Sequence, residues 1–249
     1  MKIGKVYLVG AGPSNPELLT LKALKVLKKA DVVVYDRLVS KAVLRLIPAK
    51  AEKIYVGQRS GRHLMPQEKI CGILIERARS GRVVVRLKGG DPFLFGRGGE
   101  EALEIKRAGI QLEVVPGITS ALAVPTYAGI PVTHRDYASS VAIVTGHEDP
   151  TKLEKRVEWE KLAVSVDTLV VLMGVKNLKA IVDGLIKGGR DRKTNVAIIE
   201  WGTTRRQRKI IGTLEDIVKK ANESKMKPPA VIVVGDVVSL QKELSWFKR

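Results

Sequence analysis

The sequence VVVRLKGGDPFLFGRGGEE occupies residues 83–101 of the chain. It joins a β-branched run to five glycines, three basic side chains and three acidic side chains. A β-branched run favours a strand, and glycine lets the backbone come very close to another group. The stretch therefore predicts a strand that leads into a binding loop. A surface turn is the alternative, although it would need fewer glycines and no cluster of charges.

Strand-like and helical patterns alternate on both sides of this stretch. The strands are predicted at 6–9, 32–35, 53–56, 83–87, 112–115, 141–145, 169–173, 196–200, 209–214 and 231–234. The helices are predicted at 17–29, 67–79, 99–108, 120–128, 177–187 and 214–224. Such alternation indicates α/β layers. We expect two α/β domains, residues 1–115 and 116–249, with mainly parallel five-stranded sheets and an active site in the cleft between them. The short link between 196–200 and 209–214 predicts an antiparallel hairpin.

Composition limits the class of protein. The chain has 249 residues, a net charge of +18 and one cysteine, Cys71, which excludes an intramolecular disulfide and fits a reducing cytoplasm. No signal peptide or membrane-spanning run is expected. Lysine and arginine are spread along the chain, so the charge alone predicts no nucleic-acid patch. The densest basic cluster, residues 205–209, is interpreted as a solvated turn.

Glycine-rich turns at the predicted strand ends mark the expected ligand site. The turn GAGPSNP at residues 10–16 resembles a dinucleotide fingerprint but lacks its third glycine. A nicotinamide or flavin dehydrogenase, with Asp31 or Asp36 as its acidic residue, is therefore the weaker alternative. The histidines lack metal-ligand spacing, so no metal site is expected. No phosphate-binding P-loop motif is present in the sequence.

Several segments together resemble the tetrapyrrole methylases. They are residues 6–13, 16–20, 86–101, 115–121, 129–135, 145–147, 168–174 and 200–203. The resemblance implies methylation with S-adenosylmethionine, which would be bound in a folded conformation and released as S-adenosylhomocysteine. Its nearest likeness within the family implies two methyl transfers to uroporphyrinogen III, giving precorrin-2 for sirohaem or cobalamin synthesis. It also implies a homodimer, and no nucleic-acid or membrane partner is expected.

The resemblance also assigns site residues. The cofactor would contact Pro13, Gly89, Gly90, Asp91, Leu94, Thr119, Ser120, Met173, Gly202 and Ala230. The carboxylates of an anionic tetrapyrrole would be bound by Arg37, Arg59, Arg97, His134 and Arg135, because arginine suits carboxylate geometry. The alternative role of Leu94, Met173 and Ala230 is packing in the core. The alternative for the arginines is that they are solvated in surface turns.

Asp36 matches the family position that is proposed as proton acceptor. An ion pair with Arg37 or a helix cap before Ser40 is the alternative interpretation. Gln58 departs from the family, since many relatives carry a lysine there that has been assigned as a proton donor, and glutamine does not titrate. An RNA-directed methylase or RNA binder is the second class of function left open.

Overall fold

The computed structural model describes residues 3–57, 65–147 and 156–247. The chain divides into two compact units, Met1–Thr119 and Ser120–Arg249. The predicted domain limits, 1–115 and 116–249, fall in the same connecting segment. Gln58 and Arg59 lie outside the described residues.

The first unit alternates strands and helices. Its strands are β1 (Lys5–Gly10), β2 (Val32–Tyr35), β3 (Glu52–Tyr55), β4 (Val83–Lys88) and β5 (Gln111–Val115), and its helices are α1 (Leu21–Leu27), α2 (Lys41–Leu44), α3 (Gln67–Arg79) and α4 (Gly98–Arg107). The prediction of one helix over 17–29 is wrong at its start. Residues 16–18 form a short 3-10 turn, and α1 begins only after Thr20, whose hydroxyl accepts from the Ala23 N–H.

All pairings in the first sheet are parallel, in the order β3-β2-β4-β1-β5. Successive side chains of the buried strands alternate between two apolar layers. Val33, Val85 and Leu87 face the α1 and α2 side, whereas Val34 and Val84 face α3 and α4. This order differs from the dinucleotide-binding order, in which β1 adjoins β2.

The second unit also contains five strands. They are β6 (Val141–Thr145), β7 (Thr168–Leu172), β8 (Asn195–Glu200), β9 (Arg208–Thr213) and β10 (Ala230–Val234), accompanied by α5 (Ser120–Tyr127), α6 (Trp159–Ser165), α7 (Leu178–Lys187), α8 (Ile217–Glu223) and α9 (Gln241–Leu244). Two five-stranded α/β units are thus confirmed. The helices α2, α6 and α9 were not predicted.

The second sheet, in the order β6-β7-β10-β8-β9, is mixed. Only β6 and β7 pair in parallel, and the other three pairings are antiparallel. The prediction of a mainly parallel sheet is confirmed for the first unit but is wrong for this one. The cause is the predicted hairpin: the turn after β8 reverses the chain, and the crossover through α8 keeps β10 in the direction of β9.

Within the described part of the chain, no helix is long and apolar enough to cross a membrane. Arg205 and Arg206 of the basic cluster at 205–209 lie in the β8–β9 turn, as predicted, whereas Arg208 and Lys209 belong to β9. Arg205 and Arg206 are exposed there, and the Arg206 guanidinium lies 3.9 Å from the centre of the Trp201 ring.

Candidate functional site

The carboxyl ends of the first sheet's strands lie along one edge, because every pairing is parallel. The loop after β1 carries Pro13, the loop after β4 carries Gly89, Gly90, Asp91 and Leu94, and the segment after β5 leads to Thr119. Pro13 is buried, and the other five residues are partly exposed. The sequence-predicted cofactor residues of this unit therefore follow three strands that neighbour one another.

Four glycines bring these loops into contact. A Cβ atom added to Gly117 would lie 2.3 Å from the Gly90 carbonyl oxygen and 2.7 Å from the Gly10 Cα. Gly12 and Gly90 exchange backbone hydrogen bonds of 3.2 and 2.8 Å, and both have φ near +68°. The sequence predicts that the backbone at these glycines approaches a ligand. In the structure their closest approach is to one another, which fixes the positions of the loops.

The Asp91 carboxylate also joins the two loops at the point where Gly90 and Gly117 meet, which we call the glycine crossing. Its Oδ1 accepts from the Phe93 N–H at 2.8 Å, and its Oδ2 accepts from the Gly117 N–H at 3.0 Å. A carboxylate that accepts two backbone N–H groups stabilises both turns. Asp91 thus has a structural role that the sequence did not indicate, while each carboxylate oxygen can accept one further hydrogen bond.

Asp36 follows the carboxyl end of β2 on the same edge. Its Oδ1 accepts from the Leu38 N–H at 3.1 Å, and its Oδ2 lies 3.6 Å from an Arg86 nitrogen. Neither alternative from the sequence holds, because the described ion pair is with Arg86 instead of Arg37, and Ser40 itself caps α2. Asp31, the other acidic residue of the dehydrogenase alternative, accepts from the Val83 N–H at the opposite edge.

A buried polar cluster lies beneath Asp36, and sequence reasoning missed it. Glu101 of α4 is fully buried, and its Oε1 accepts from Arg86 at 3.1 Å, Lys88 at 3.0 Å and Gln67 at 2.7 Å. Burial, together with the neighbouring guanidinium, holds the pKa of Lys88 below its ordinary value. The signal available in the sequence was the alternation of charged and apolar residues at 84–88, inside a strand expected to be buried.

The predicted substrate arginines of this unit differ in their surroundings. Arg37 is exposed beside the β2 carboxyl end. Arg97 begins α4 with φ +57°, and its guanidinium pairs with the exposed Glu100 carboxylate at 2.6 Å. A substrate carboxylate at Arg97 would therefore share or displace Glu100. Arg59 belongs to the stretch that the structure does not describe.

The second unit has a comparable edge, formed by the carboxyl ends of β6, β7 and β8 and the amino end of β10. Met173 follows β7 and Gly202 follows β8, while Ala230 begins β10 opposite Glu200. Ser120 begins α5, and the α5 residue Val124 fills the space beside Gly202, where an added Cβ would lie 2.4 Å from its side chain. Met173, Gly202 and Ala230 thus share one edge, and α5 packs against it.

Unusual backbone conformations concentrate at both edges. Among the described residues, seven other than glycine have positive φ, and six of them follow strand carboxyl ends: Ser14, Phe95, Arg97, Met173, Trp201 and Thr203. Such conformations cost of order 1–3 kcal/mol each and cluster at ligand-binding sites. Their positions indicate that the loops are shaped for a purpose other than connecting the strands.

The structure separates His134 and Arg135 from this edge of the second unit. Both lie in the loop that enters β6 at the opposite end of the strand from Thr145. The His134 Nδ1 accepts from the Asp136 N–H at 3.2 Å, and its ring contacts Tyr137. Within the second unit, His134 and Arg135 therefore lie at the opposite edge of the sheet from Met173 and Gly202.

The accessible residues fit the proposed cofactor. Met173 is 49% exposed, and Leu94 is partly exposed, so neither is the core residue that the alternative interpretation required. Ala230 is half-buried against the core. Partly exposed apolar side chains beside glycine turns suit an adenosyl group and an amino-acid chain. Over the described ranges, no cluster of three or more histidine, cysteine or acidic side chains could hold a metal ion.

Comparison with known proteins agrees with these features. Residues 5–218 match the family model for Tetrapyrrole (Corrin/Porphyrin) Methylases. A relative from Methanocaldococcus jannaschii, named uroporphyrinogen-III C-methyltransferase, is 58% identical over 238 residues, covering 95% of this chain and 98% of its own. One from Methanosarcina barkeri, named S-adenosyl-L-methionine-dependent uroporphyrinogen III methyltransferase, is 56% identical over 237 residues, covering 95% and 93%.

A solved structure shows the same likeness. The uroporphyrin-III C-methyl transferase of Thermus thermophilus, in a complex with S-adenyl homocysteine, is 44% identical and covers 95% of this chain and 100% of its own, with a TM-score of 0.82. The motifs and the fold thus lead to the same family as the relatives. The chain belongs to the tetrapyrrole (corrin/porphyrin) methylases.

Proposed function

We propose that this protein transfers methyl groups from S-adenosylmethionine to two carbon atoms of uroporphyrinogen III, giving precorrin-2 and S-adenosylhomocysteine. The observation that carries the proposal is the meeting of the motif glycines Gly10, Gly90 and Gly117 at the carboxyl edge of the first sheet. The names of the close relatives and the ligand of the Thermus structure support the same reaction.

The cofactor supplies a methyl group on a positively charged sulfur. We propose that the loops at the two described edges bind it, with these residues in contact: Pro13, Gly89, Gly90, Asp91, Leu94, Thr119, Ser120, Met173, Gly202 and Ala230. The Gly90 and Gly117 crossing fixes the loop backbone before binding, so less ordering entropy is lost when the ligand arrives. The free lone pairs of Asp91 can accept from the ammonium or a hydroxyl of the ligand.

The tetrapyrrole carries acidic side chains, which arginine recognises well. Arg37 is suitably exposed at the edge that carries Asp36, and Arg97 stands at the amino end of α4. Each charge-assisted hydrogen bond contributes about 1.5–3 kcal/mol, so several are needed to orient a flexible macrocycle. The proposal for Arg59, His134 and Arg135 rests on the family resemblance alone.

The reaction needs alignment more than acid–base catalysis. A reduced pyrrole carbon is already nucleophilic, and holding it in line with the methyl group can supply up to about 7–11 kcal/mol. The ring must then lose a proton. We assign its acceptance to the Asp36 carboxylate, which stands at a strand end on the site edge with one oxygen in an ion pair and the other in a local turn.

The decisive experiment uses radiolabelled S-adenosylmethionine with either uroporphyrinogen III or total RNA. We expect label in the tetrapyrrole, with a product mass that corresponds to two added methyl groups. An Asp36→Asn variant, which is nearly the same size, should bind S-adenosylhomocysteine normally and turn over slowly. Label that enters RNA alone would establish the RNA-directed alternative and overturn the proposal.

We further propose that the protein is a cytoplasmic homodimer. The buried, free Cys71 suits a reducing compartment. Light scattering at micromolar concentration should give twice the chain mass of 27.3 kDa. A mass equal to that of one chain would contradict the dimer.

A further inference from the structure

The charged cluster beneath Asp36 is built into the first sheet. Arg86 and Lys88 are two residues apart on β4, so both side chains emerge on the layer that also holds Val84. That layer is covered by α3 and α4, which supply Gln67 and Glu101. Arg86, Lys88 and Glu101 are all buried, which is rare for charged residues unless they are paired.

Counting charges shows that the cluster depends on Asp36. Two cations, Arg86 and Lys88, face the single buried carboxylate Glu101, and the ion pair with Asp36 makes the group neutral. An uncompensated buried charge is strongly unfavourable. Asp36 is therefore bound to the cluster electrostatically, although it stands at the site edge and is itself partly exposed.

The contacts of Arg86 are divided among its nitrogens. Its Nε donates to Glu101, its Nη1 reaches the carbonyl oxygens of Val34 and Leu87 at 3.4 and 3.2 Å, and its Nη2 faces Asp36. The Glu101 Oε2 is buried and makes no hydrogen bond in the described structure. Arg86, Lys88 and Gln67 all donate to the other oxygen, Oε1. Together, the contacts of its nitrogens hold the planar Arg86 guanidinium in one orientation.

We propose that Glu101 is a positioning residue for the methyl transfer: through Arg86 it holds the Asp36 carboxylate in the orientation that receives the proton. Glu101 contacts neither substrate nor cofactor in this scheme. The inference rests on the proposed function for the role of Asp36, but the Glu101–Arg86–Asp36 linkage is a property of the structure itself. Arg86 is the only side chain described as touching both carboxylates.

The test begins with Glu101→Gln in the full-length chain. We expect kcat with uroporphyrinogen III to fall roughly tenfold or more, while KM and S-adenosylhomocysteine affinity stay within about twofold, because the glycine crossing is untouched. The matched control is Glu52→Gln, which breaks contacts to Arg77 and Arg82 at the opposite edge of the same sheet. It should leave kcat unchanged.

A kinetic double-mutant cycle separates positioning from general damage. If Glu101 acts through Arg86, the Arg86→Gln/Glu101→Gln chain should have the kcat of Arg86→Gln alone. This pair also removes one buried charge of each sign, so it keeps the cluster neutral and can be measured even if Glu101→Gln fails to fold. Wild-type kcat in Arg86→Gln, or independent effects that multiply in the pair, would overturn the proposal.

A structural measurement keeps this inference distinct from the proposed function. In crystal structures of the wild-type and Glu101→Gln chains, both with S-adenosylhomocysteine, we expect the Asp36–Arg86 separation, which is 3.6 Å in the structure described above, to be different in the variant. An unchanged separation would refute the linkage whatever the substrate proves to be. A wild-type chain that does not methylate uroporphyrinogen III would instead refute the proposed function.

Discussion

Replacing Gly117 with alanine tests whether the glycine crossing forms the cofactor site. The added Cβ would lie 2.3 Å from the Gly90 carbonyl oxygen and 2.7 Å from the Gly10 Cα. Ordinary carbon contacts need roughly 3.5 Å, so the loops must part by about 1 Å. Both neighbours are backbone atoms, which no rotamer change can move.

This displacement should have two measurable effects. Overpacking of this kind costs about 1–3 kcal/mol of stability, which thermal unfolding would detect. Because the hydrogen bond from the Gly117 N–H to Asp91 is stretched as well, the loop loses its preset shape. We expect S-adenosylhomocysteine affinity, measured by calorimetry, to fall at least about tenfold, or about 1.4 kcal/mol.

The same substitution at Gly99 is the control. Gly99 lies in the 86–101 segment that also contains Gly90, but an added Cβ there meets nothing within 4 Å. Gly99→Ala should bind the ligand with wild-type affinity. If Gly117→Ala also bound it with wild-type affinity, the crossing would be no part of the cofactor site and the reasoning would fail.

Three further predictions concern other parts of the chain. Asp36→Ala should lower turnover more than Gln58→Ala, which should cost less than about tenfold; rates in the reverse order would show that position 58 is the critical one. Two lysine partners lower the pKa of Glu113 from 4.5 to about 2, so its stabilising contribution is complete above pH 4.5 and is lost as pH falls toward 2. Thermal unfolding across the acid range should therefore be less pH-dependent in Glu113→Gln, and parallel curves would contradict this. Gly72→Ala, in the interior of α3 with open space around it, should raise stability by about 0.5–1 kcal/mol in denaturant titrations; a loss of stability would be the contrary result.

The fold could be predicted largely from local patterns. Runs rich in apolar and β-branched residues indicated the ten strands, and the signal was clearest in strands buried on both faces, such as β2 and β4. The predicted first helix is too long at its start, because the residue that caps the helix is Thr20. The direction of β10 depends on a reversal some twenty or more residues earlier, and no feature of its own sequence reports that reversal.

The site was predicted less completely, and for a different physical reason. Glycine-rich turns are recognisable from the sequence, so the loops holding Gly90 and Gly202 could be predicted to follow strand ends, as they do. The partners of Asp36 and Asp91 were not, because Arg86 and the Gly117 N–H reach them only through the arrangement of neighbouring strands. Contacts between residues distant in sequence leave no periodic signal in one chain.

The position of β10 in the second sheet has a consequence for synthesis of the protein. β10 lies between β7 and β8, yet it is the last strand of the sheet to leave the ribosome. Until residues 230–234 emerge, the β6–β7 pair and the β8–β9 pair lack the strand that lies between them in the finished sheet. Two such pairs expose unpaired edges that invite association with other chains. Completion of the sheet therefore waits for residues 230–234, and a chain interrupted just before Ala230 should aggregate instead of folding.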